Sequence, residues 1–261
     1  MMASLGQRVR VARQLAREKG IAWFVRDYRN FLLWTTMNKI FIQIMARKFQ
    51  RLAHHAETLQ QAIDLLFSFD YFGASVSKYQ QRWEISKFLE IVKETRPSVV
   101  LEIGTAKGGT LFLFARAVRE DALLISVDLP GGPFFGGRYE ETLLPSMVSL
   151  TGRGQRLRLI RSDSHSTNTK GEIEQALGGR PVDFLFIDGD HSYEGVRKDF
   201  EMYSPLVRKG GIIAFHDICA GPPVSVGGVP RFWKEVSVSR KSETIIKDLN
   251  QGGFGIGVIH C

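Results

Sequence analysis

The sequence predicts an α/β protein: a doubly wound, mostly parallel sheet preceded by a helical extension. Three observations predict it. From residue 98 onward, short apolar runs alternate with helical periodicity. Two of those runs, Asp183-Phe184-Leu185-Phe186-Ile187-Asp188-Gly189-Asp190-His191 and Gly210-Gly211-Ile212-Ile213-Ala214-Phe215-His216-Asp217, each deliver acids and a histidine to one point. Open α/β sheets hold their ligands outside the carboxyl ends of the strands. Finally, two strand patterns close the chain with no helix between them, which predicts an antiparallel hairpin edge.

The elements follow in order. Residues 5–19 read as a basic helix ended by Gly20, and 21–50 as one or two helices rich in Trp, Phe, Ile and Met. Residues 55–69 continue helically, with Ala56, Leu59, Ala62, Leu65 and Leu66 on one side, until Phe72-Gly73-Ala74-Ser75 breaks the pattern. A helix over 79–95 turns Trp83, Ile85, Phe88, Leu89 and Val92 inward and stops at Pro97. Strands are predicted at Ser98–Ile103, Leu123–Val127, Leu157–Ile160, Phe184–Ile187 and Ile212–Phe215. Helices are predicted at 108–119, 171–177, 193–205 and 230–237. Thr244–Leu249 and Phe254–Ile259 form the closing pair. The domain reading is a basic, aromatic-rich helical extension over 1–75 and an α/β domain over 76–261.

Charge separates the two parts. Of the net +8, residues 1–55 carry +9, from eleven Lys/Arg against Glu18 and Asp27. The remainder is close to neutral, so the part bearing the acids and histidines lacks the basic surround of a nucleic-acid enzyme. Two cysteines, Cys219 and Cys261, make neither a disulfide framework nor a zinc pattern, and a reducing, cytoplasmic setting is expected. Charges precede any apolar run, so no secretory signal is read. The run Asn30–Ala46 is interrupted by Lys39 and falls short of the ~20 residues that span a bilayer.

Three strand ends suggest a nucleotide-like ligand. The first runs Leu101-Glu102-Ile103-Gly104-Thr105-Ala106-Lys107-Gly108-Gly109-Thr110. Glycines let the backbone turn and approach a ligand, and the next helix offers free N–H groups. The third glycine of the dinucleotide fingerprint is missing, as is the Gly-Lys-Ser/Thr of a phosphate loop. A plain strand–helix turn is the competing reading. Glu102 is too polar for a strand interior and is expected to face a ligand or cap the loop. Asp128 ends the second strand, where an acid can accept both hydroxyls of a ribose or simply cap a turn. In Arg161-Ser162-Asp163-Ser164 an adenine amine would find acceptors.

Taken together, Glu-Ile-Gly-x-x-x-Gly-Gly from Glu102, then Asp128, Asp163-Ser164 and Ile187-Asp188-Gly189-Asp190-His191, resemble the class I S-adenosylmethionine-dependent methyltransferases. More narrowly, the chain is similar to the bacterial group that includes the cephalosporin-hydroxylase-like and macrolide-sugar O-methyltransferases. The likeness runs from about Tyr79 to Ile259 and includes Gly131-Gly132-Pro133-Phe134, Gly228-Val229-Pro230-Arg231-Phe232-Trp233 and Gly255-Ile256-Gly257. It implies strand order 3-2-1-4-5-7-6 with strand 7 antiparallel. The implied reaction is methyl transfer from S-adenosylmethionine to a hydroxyl of a sugar or glycosylated natural product. It also implies that Glu102, Gly104 and the amides of Gly108 and Gly109 hold the methionine part. Asp128 would hold the ribose, and Asp163 or Ser164 the adenine edge.

A sugar hydroxyl is a poor nucleophile, and a divalent ion would lower its pKa. Asp188 and Asp217 end neighbouring strands and can converge. In similar metal-dependent O-methyltransferases the ligands are an Asp at position 188 and an acidic or amide pair at 216 and 217. This chain has His216-Asp217 there, so the expected set is Asp188, His216 and Asp217. Oxygen ligands favour Mg²⁺; the histidine admits a softer metal such as Mn, Fe or Zn, or no metal at all, with Asp188 and Asp217 then binding backbone or substrate only. His191 stands where the catechol and caffeoyl-CoA O-methyltransferases carry a general-base lysine. It is the expected base, with His216 as the alternative. Asp190 orients one of these or caps the helix near Tyr193, and His165 and Tyr193 read as solvated loop residues.

The extension pairs Arg8, Arg10, Arg13 and Arg17 with Trp23, Phe24, Phe31 and Trp34. Such a pattern suits an anionic membrane surface, here the inner face, and equally a helical cap over the site or a homo-oligomer contact. Two other functions compete. A nicotinamide-dependent oxidoreductase is disfavoured by the missing glycine, and a non-catalytic S-adenosylmethionine-binding scaffold by the cluster of acids and histidines.

Overall fold

The computed structural model describes residues 44–71, 74–75, 80–106, 108–129 and 154–261. The helix expected over 5–19, the 21–43 part of the helices expected over 21–50, and the Gly131–Phe134 motif lie outside the described residues. The chain divides into two compact units, Met1–Met45 and Ala46–Cys261. Among the described residues no helix is long and apolar enough to cross a membrane.

Among the described residues three helices precede the sheet. The first, α1, covers residues 44–54. Thr58 then starts α2 (Leu59–Ser68) with a capping box, its hydroxyl accepting from Gln61 N–H while the Gln61 side chain accepts from Thr58 N–H. Where a break was expected, Asp70–Tyr71 pairs antiparallel with Ala74–Ser75. The third helix, α3 (Arg82–Thr95), ends on Arg96 in the left-handed region, one residue before Pro97. It buries Ile85, Phe88, Leu89 and Val92 as expected. Trp83 does not join them and is exposed, while Glu84 is fully buried. At about 100° per residue, position 83 falls opposite the 85/88/89/92 arc, so geometry overrides residue type.

The sheet then builds from β1 (Val99–Ile103), α4 (Gly109–Ala117), β2 (Leu123–Val127), β3 (Arg156–Ile160), α5 (Thr167–Leu177) and β4 (Val182–Ile187). It continues through α6 (Tyr193–Tyr203), β5 (Val207–His216), α7 (Pro223–Val226), α8 (Val229–Ser237), β6 (Ser242–Ile245) and β7 (Ile256–His260). The seven strands form one sheet in the order β3-β2-β1-β4-β5-β7-β6. β7 runs antiparallel to both neighbours, β5 and β6. The observed order and the antiparallel β7 match the expected topology. Strand bounds differ in places: β5 begins at Val207 rather than Ile212, and β6 runs Ser242–Ile245 rather than Thr244–Leu249, so that Lys247–Gly255 is a loop that borders the site.

Both faces of the central strands are covered, so β4 is apolar throughout its buried stretch Phe184–Ile187. On one face Phe88, Phe114, Phe184 and Phe186 pack edge-on, with centroids as close as 4.8 Å between Phe114 and Phe184. On the other, Leu101, Ile103, Leu185 and Phe215 meet α6 and α8. Phe49 of α1 packs on Phe69 and Phe112, and Arg116 of α4 donates to the carbonyls of Ala53 and Ala56. Helices ahead of the sheet are thereby fixed to its first crossover. The parallel strands β1 to β5 all end at one edge, and the chemistry-bearing residues lie there.

Candidate active site

A cavity of about 590 Å³ opens at that carboxyl edge, within the size range of small-molecule sites. Its wall takes Gly104 and Ala106 after β1, Asp128 after β2, and Asp163, Ser164 and His165 after β3. It also takes Asp188 to His191 after β4, His216 and Asp217 from β5, and Gly252 to Phe254 before β7. Seven of the expected site residues therefore line the cavity together with His191. Glu102, Gly108 and Gly109 are not part of this wall.

The turn after β1 explains why. Gly104 has φ 91°, and a Cβ there would overlap the carbonyl of Asp188. Only glycine lets this turn lie against the end of β4, and Asp188 N–H closes the contact on Ile103 O at 2.8 Å. Glu102 is buried behind the turn, accepting from Ser126 Oγ at 2.5 Å, and Ser126 in turn contacts Thr105 Oγ1. Burial raises its pKa to about 8; the Ser126 bond only partly offsets this, and Asp188 and Asp128 add to the rise. It therefore supports the turn from behind. Gly108 is the left-handed N-cap of α4, and Gly109 is its first residue.

Asp128 is held on two sides. Its Oδ1 accepts from the amides of Thr105 (3.1 Å) and Ala106 (3.4 Å), and its Oδ2 pairs with Arg161 at 2.8 Å. Burial raises its pKa, with Arg161 and the amides opposing. Asp163 accepts from His165 N–H at 2.8 Å, and the Ser164 carbonyl accepts from Tyr203 OH. His165, expected to be solvated, instead turns Nε2 to 3.2 Å from Asp199 Oδ1. The side-chain contact with Asp199, a fully buried carboxylate on α6 that can accept from the ring, raises the His165 pKa, and burial opposes it.

At the other end two acids and two histidines converge. Asp188 Oδ1 lies 3.4 Å from His191 Nε2 and 3.3 Å from His216 Nδ1. Asp217 lies 3.4 Å from His191 Nδ1 through Oδ2 and 3.5 Å from His216 Nδ1 through Oδ1. His191 Nδ1 also meets Ser225 O at 2.5 Å. Burial disfavours both imidazolium ions, but the two carboxylates outweigh it. His191 is raised to about 9, His216 well above its usual value, and Asp188 is held below the usual carboxylate range. The neighbouring carboxylates thus favour the protonated form of both rings. Asp188, His191 and Asp217 each offer one ligand atom within 4.8 Å of the others, a spacing suited to a metal ion. The compact set includes His191, whereas the sequence pointed to His216. His216 Nε2 is buried without a hydrogen-bond partner, between Phe186 and Phe254.

Phe254 and Gly227, whose roles were not singled out from sequence, support this cluster. Asp217 sits at φ 58° and accepts from Phe254 N–H at 3.0 Å; Phe254 itself sits at φ 60°. Two non-glycine residues in the left-handed region each cost on the order of 1–3 kcal/mol and persist only where surroundings enforce them. Gly227 carries no Cβ because one would overlap the His191 carbonyl, and Gly228 N–H donates to that same oxygen at 2.7 Å. Ser192 caps α6, accepting from Gly195 N–H at 2.9 Å, and Asp190 accepts from Ser192 N–H at 2.8 Å just ahead of the helix.

Comparison with known proteins agrees with this architecture. Residues 101–218 match a family model described as a methyltransferase domain. An uncharacterized protein, R132, of Acanthamoeba polyphaga mimivirus is 34% identical over 45% of this chain and 50% of its own length. An uncharacterized protein, y4gI, of Sinorhizobium fredii is 30% identical over 58% of this chain and 16% of its own. The chain therefore spans about half of the first relative and a small part of the second. Among solved structures, the O-methyltransferase TomG of Streptomyces achromogenes superposes with TM-score 0.52 at 18% identity, covering 77% of this chain and 88% of that one. An O-methyltransferase from Bacillus cereus gives 0.54 at 17% identity, covering 78% and 90%. This chain has the class I S-adenosylmethionine-dependent methyltransferase fold, with a methyltransferase-domain match over residues 101–218.

Proposed function

We propose that this protein is an S-adenosylmethionine-dependent O-methyltransferase that acts, with a divalent cation, on a hydroxyl of a sugar or glycosylated natural product. One observation carries the reading: Asp128 and the Asp188/His191/Asp217 cluster face one cavity from opposite ends. The solved O-methyltransferases of like fold bind S-adenosylmethionine in TomG and its homocysteine product in the Bacillus cereus protein.

When bound, the cofactor supplies an electrophilic methyl group on a sulfonium. The chain's own residues then divide the work. Asp128 accepts the ribose hydroxyls, with its Oδ1 already fixed by two amides. Asp163 and Ser164 border the adenine. Gly104 admits the methionine end, the α4 start at Gly108–Gly109 adds its positive dipole, and Glu102 holds the turn in place.

Asp188, Asp217 and His191 or His216 fit a hard divalent cation, Mg²⁺ first and Mn²⁺ next, by donor type and spacing. That cation would lower the pKa of the acceptor hydroxyl. His191 Nε2 takes the acceptor proton, with Nδ1 on Ser225 O, only where His216 and not His191 completes the cation set. With its pKa near 9 it must first shed its own proton. His216, more deeply enclosed, holds the two acids apart and is the alternative base. The surplus charge of residues 1–55 supports peripheral attachment to an anionic membrane, and so a membrane-borne acceptor.

Calorimetry with S-adenosylhomocysteine tests the cofactor half. The wild type should bind, and Asp128→Ala should lose about 1.5–3 kcal/mol, the worth of a charged hydrogen bond. Unchanged affinity in that variant would remove Asp128 from the ribose role.

A further inference from the structure

We propose that Glu84 is a positioning residue for the acceptor end of the cavity. Its buried carboxylate clamps the loop before β7 so that Phe254 N–H meets Asp217. The catalytic consequence rests on the function proposed above; the clamp itself does not.

Glu84 lies on α3, ahead of the matched methyltransferase region, and is fully buried. Its described partners are three N–H donors and no cation. Oε1 accepts from Lys247 N at 2.9 Å and Gln251 Nε2 at 2.7 Å, and Oε2 accepts from Gly255 N at 2.9 Å. All three donors belong to one loop, more than 160 residues along the chain. A buried carboxylate without a counter-ion is costly, and here the loop amides are what offset it. A carboxylate also suits the task chemically. It has only acceptors, whereas a glutamine would turn an NH₂ toward a donor.

What the loop does gives the clamp its meaning. Gly252, Gly253, Phe254 and Gly255 all have positive φ, and Phe254 is not a glycine. Such a run holds only where it is fixed on several sides. Gly255 is fixed by Glu84, Phe254 O accepts from Cys219 N at 2.8 Å, and Gln251 Nε2 ties Glu84 to Gly253 O. Phe254 N–H in turn donates to Asp217 Oδ1 at 3.0 Å. Asp217 is one of the three candidate cation ligands and sits in the left-handed region itself. Glu84 thus reaches the cluster through two residues of the loop, while the Asp128 end is built from other strands.

The test compares the full chain with Glu84→Gln, by amide hydrogen exchange and by separate titrations with Mn²⁺ and S-adenosylhomocysteine. In the variant, protection of the Phe254 amide should fall by about tenfold or more while β1 and β4 amides keep theirs. Mn²⁺ affinity should fall by about the same factor, and S-adenosylhomocysteine affinity should stay within about twofold. Wild-type protection at Phe254, or an equal loss across β1 and β4, would overturn the proposal, because a merely stabilising residue gives one of those results. If Glu84→Gln does not fold, Gln251→Met, which removes the bridge to Gly253 O, should give the same local pattern. Protection at Phe254 unchanged in that variant would overturn the clamp. A wild type that binds neither probe would remove the methyltransferase reading and leave the exchange result to decide Glu84.

Discussion

Replacing Asp188 by asparagine is expected to lower methyl transfer by about 10³-fold while S-adenosylhomocysteine binding changes little. Asp188 Oδ1 faces both His191 Nε2 and His216 Nδ1, at 3.4 and 3.3 Å. The amide keeps the shape and removes the charge. Asp217 alone is then left against the two histidines, and the proposed cation site loses a hard ligand. Breaking one partner out of a buried ionic cluster costs about 3 kcal/mol or more, so the urea midpoint should also fall. The Asp128 end shares none of these contacts, which is why cofactor affinity should survive. Transfer of label from S-adenosylmethionine, with calorimetry on the same preparation, separates the two effects. A variant with normal turnover would show that the cluster does not take part in the reaction.

In chelator-treated protein, stability should fall as pH rises from about 6.5 to about 9. The sign follows from His191, whose folded pKa of about 9 lies above its ordinary 6.5. Its contribution is fully present below 6.5 and is lost as pH climbs through 9. A shift of that size corresponds to about 3 kcal/mol, and the depressed Asp188 reflects the same pairing, so the two are not added. His216 is shifted in the same direction. A cation replaces those protons, so Mn²⁺ should bind more tightly as pH rises and should release protons at neutral pH. Saturating Mn²⁺ should therefore flatten the fall in stability. Melting curves at pH 6.5 and 9, with and without Mn²⁺, check both halves. A chelated protein equally stable at both pH values would mean that the histidines are not paired with the acids.

Much of the site was legible because strand ends announce themselves. An apolar run closing on Asp188, another on His216-Asp217, and a third on Asp128 need only the rule that parallel strands share a carboxyl edge. Placement along the strand does not fix which side chain turns inward. Glu102 ends up behind the turn, and the compact group of candidate cation ligands contains His191, with His216 beside it. Arg161 stood in a quoted motif, yet its pairing with Asp128 needs the β2–β3 register. Glu84 left no pattern at all, since two of its three partners are backbone amides on a distant loop. A signal did exist for the end of β6. Asp248, Asn250 and Gly252-Gly253 are turn formers, and they outweighed the apolar residues that suggested a longer strand. Trp83 shows the converse error, an aromatic placed inward by type when its angle on α3 points outward.

The most direct test is native mass spectrometry of the full chain incubated with S-adenosylmethionine and with NADH in competition. The account predicts a one-to-one complex with S-adenosylmethionine or S-adenosylhomocysteine, lost in Asp128→Ala. Retention of the nicotinamide dinucleotide with no S-adenosyl species bound would contradict it.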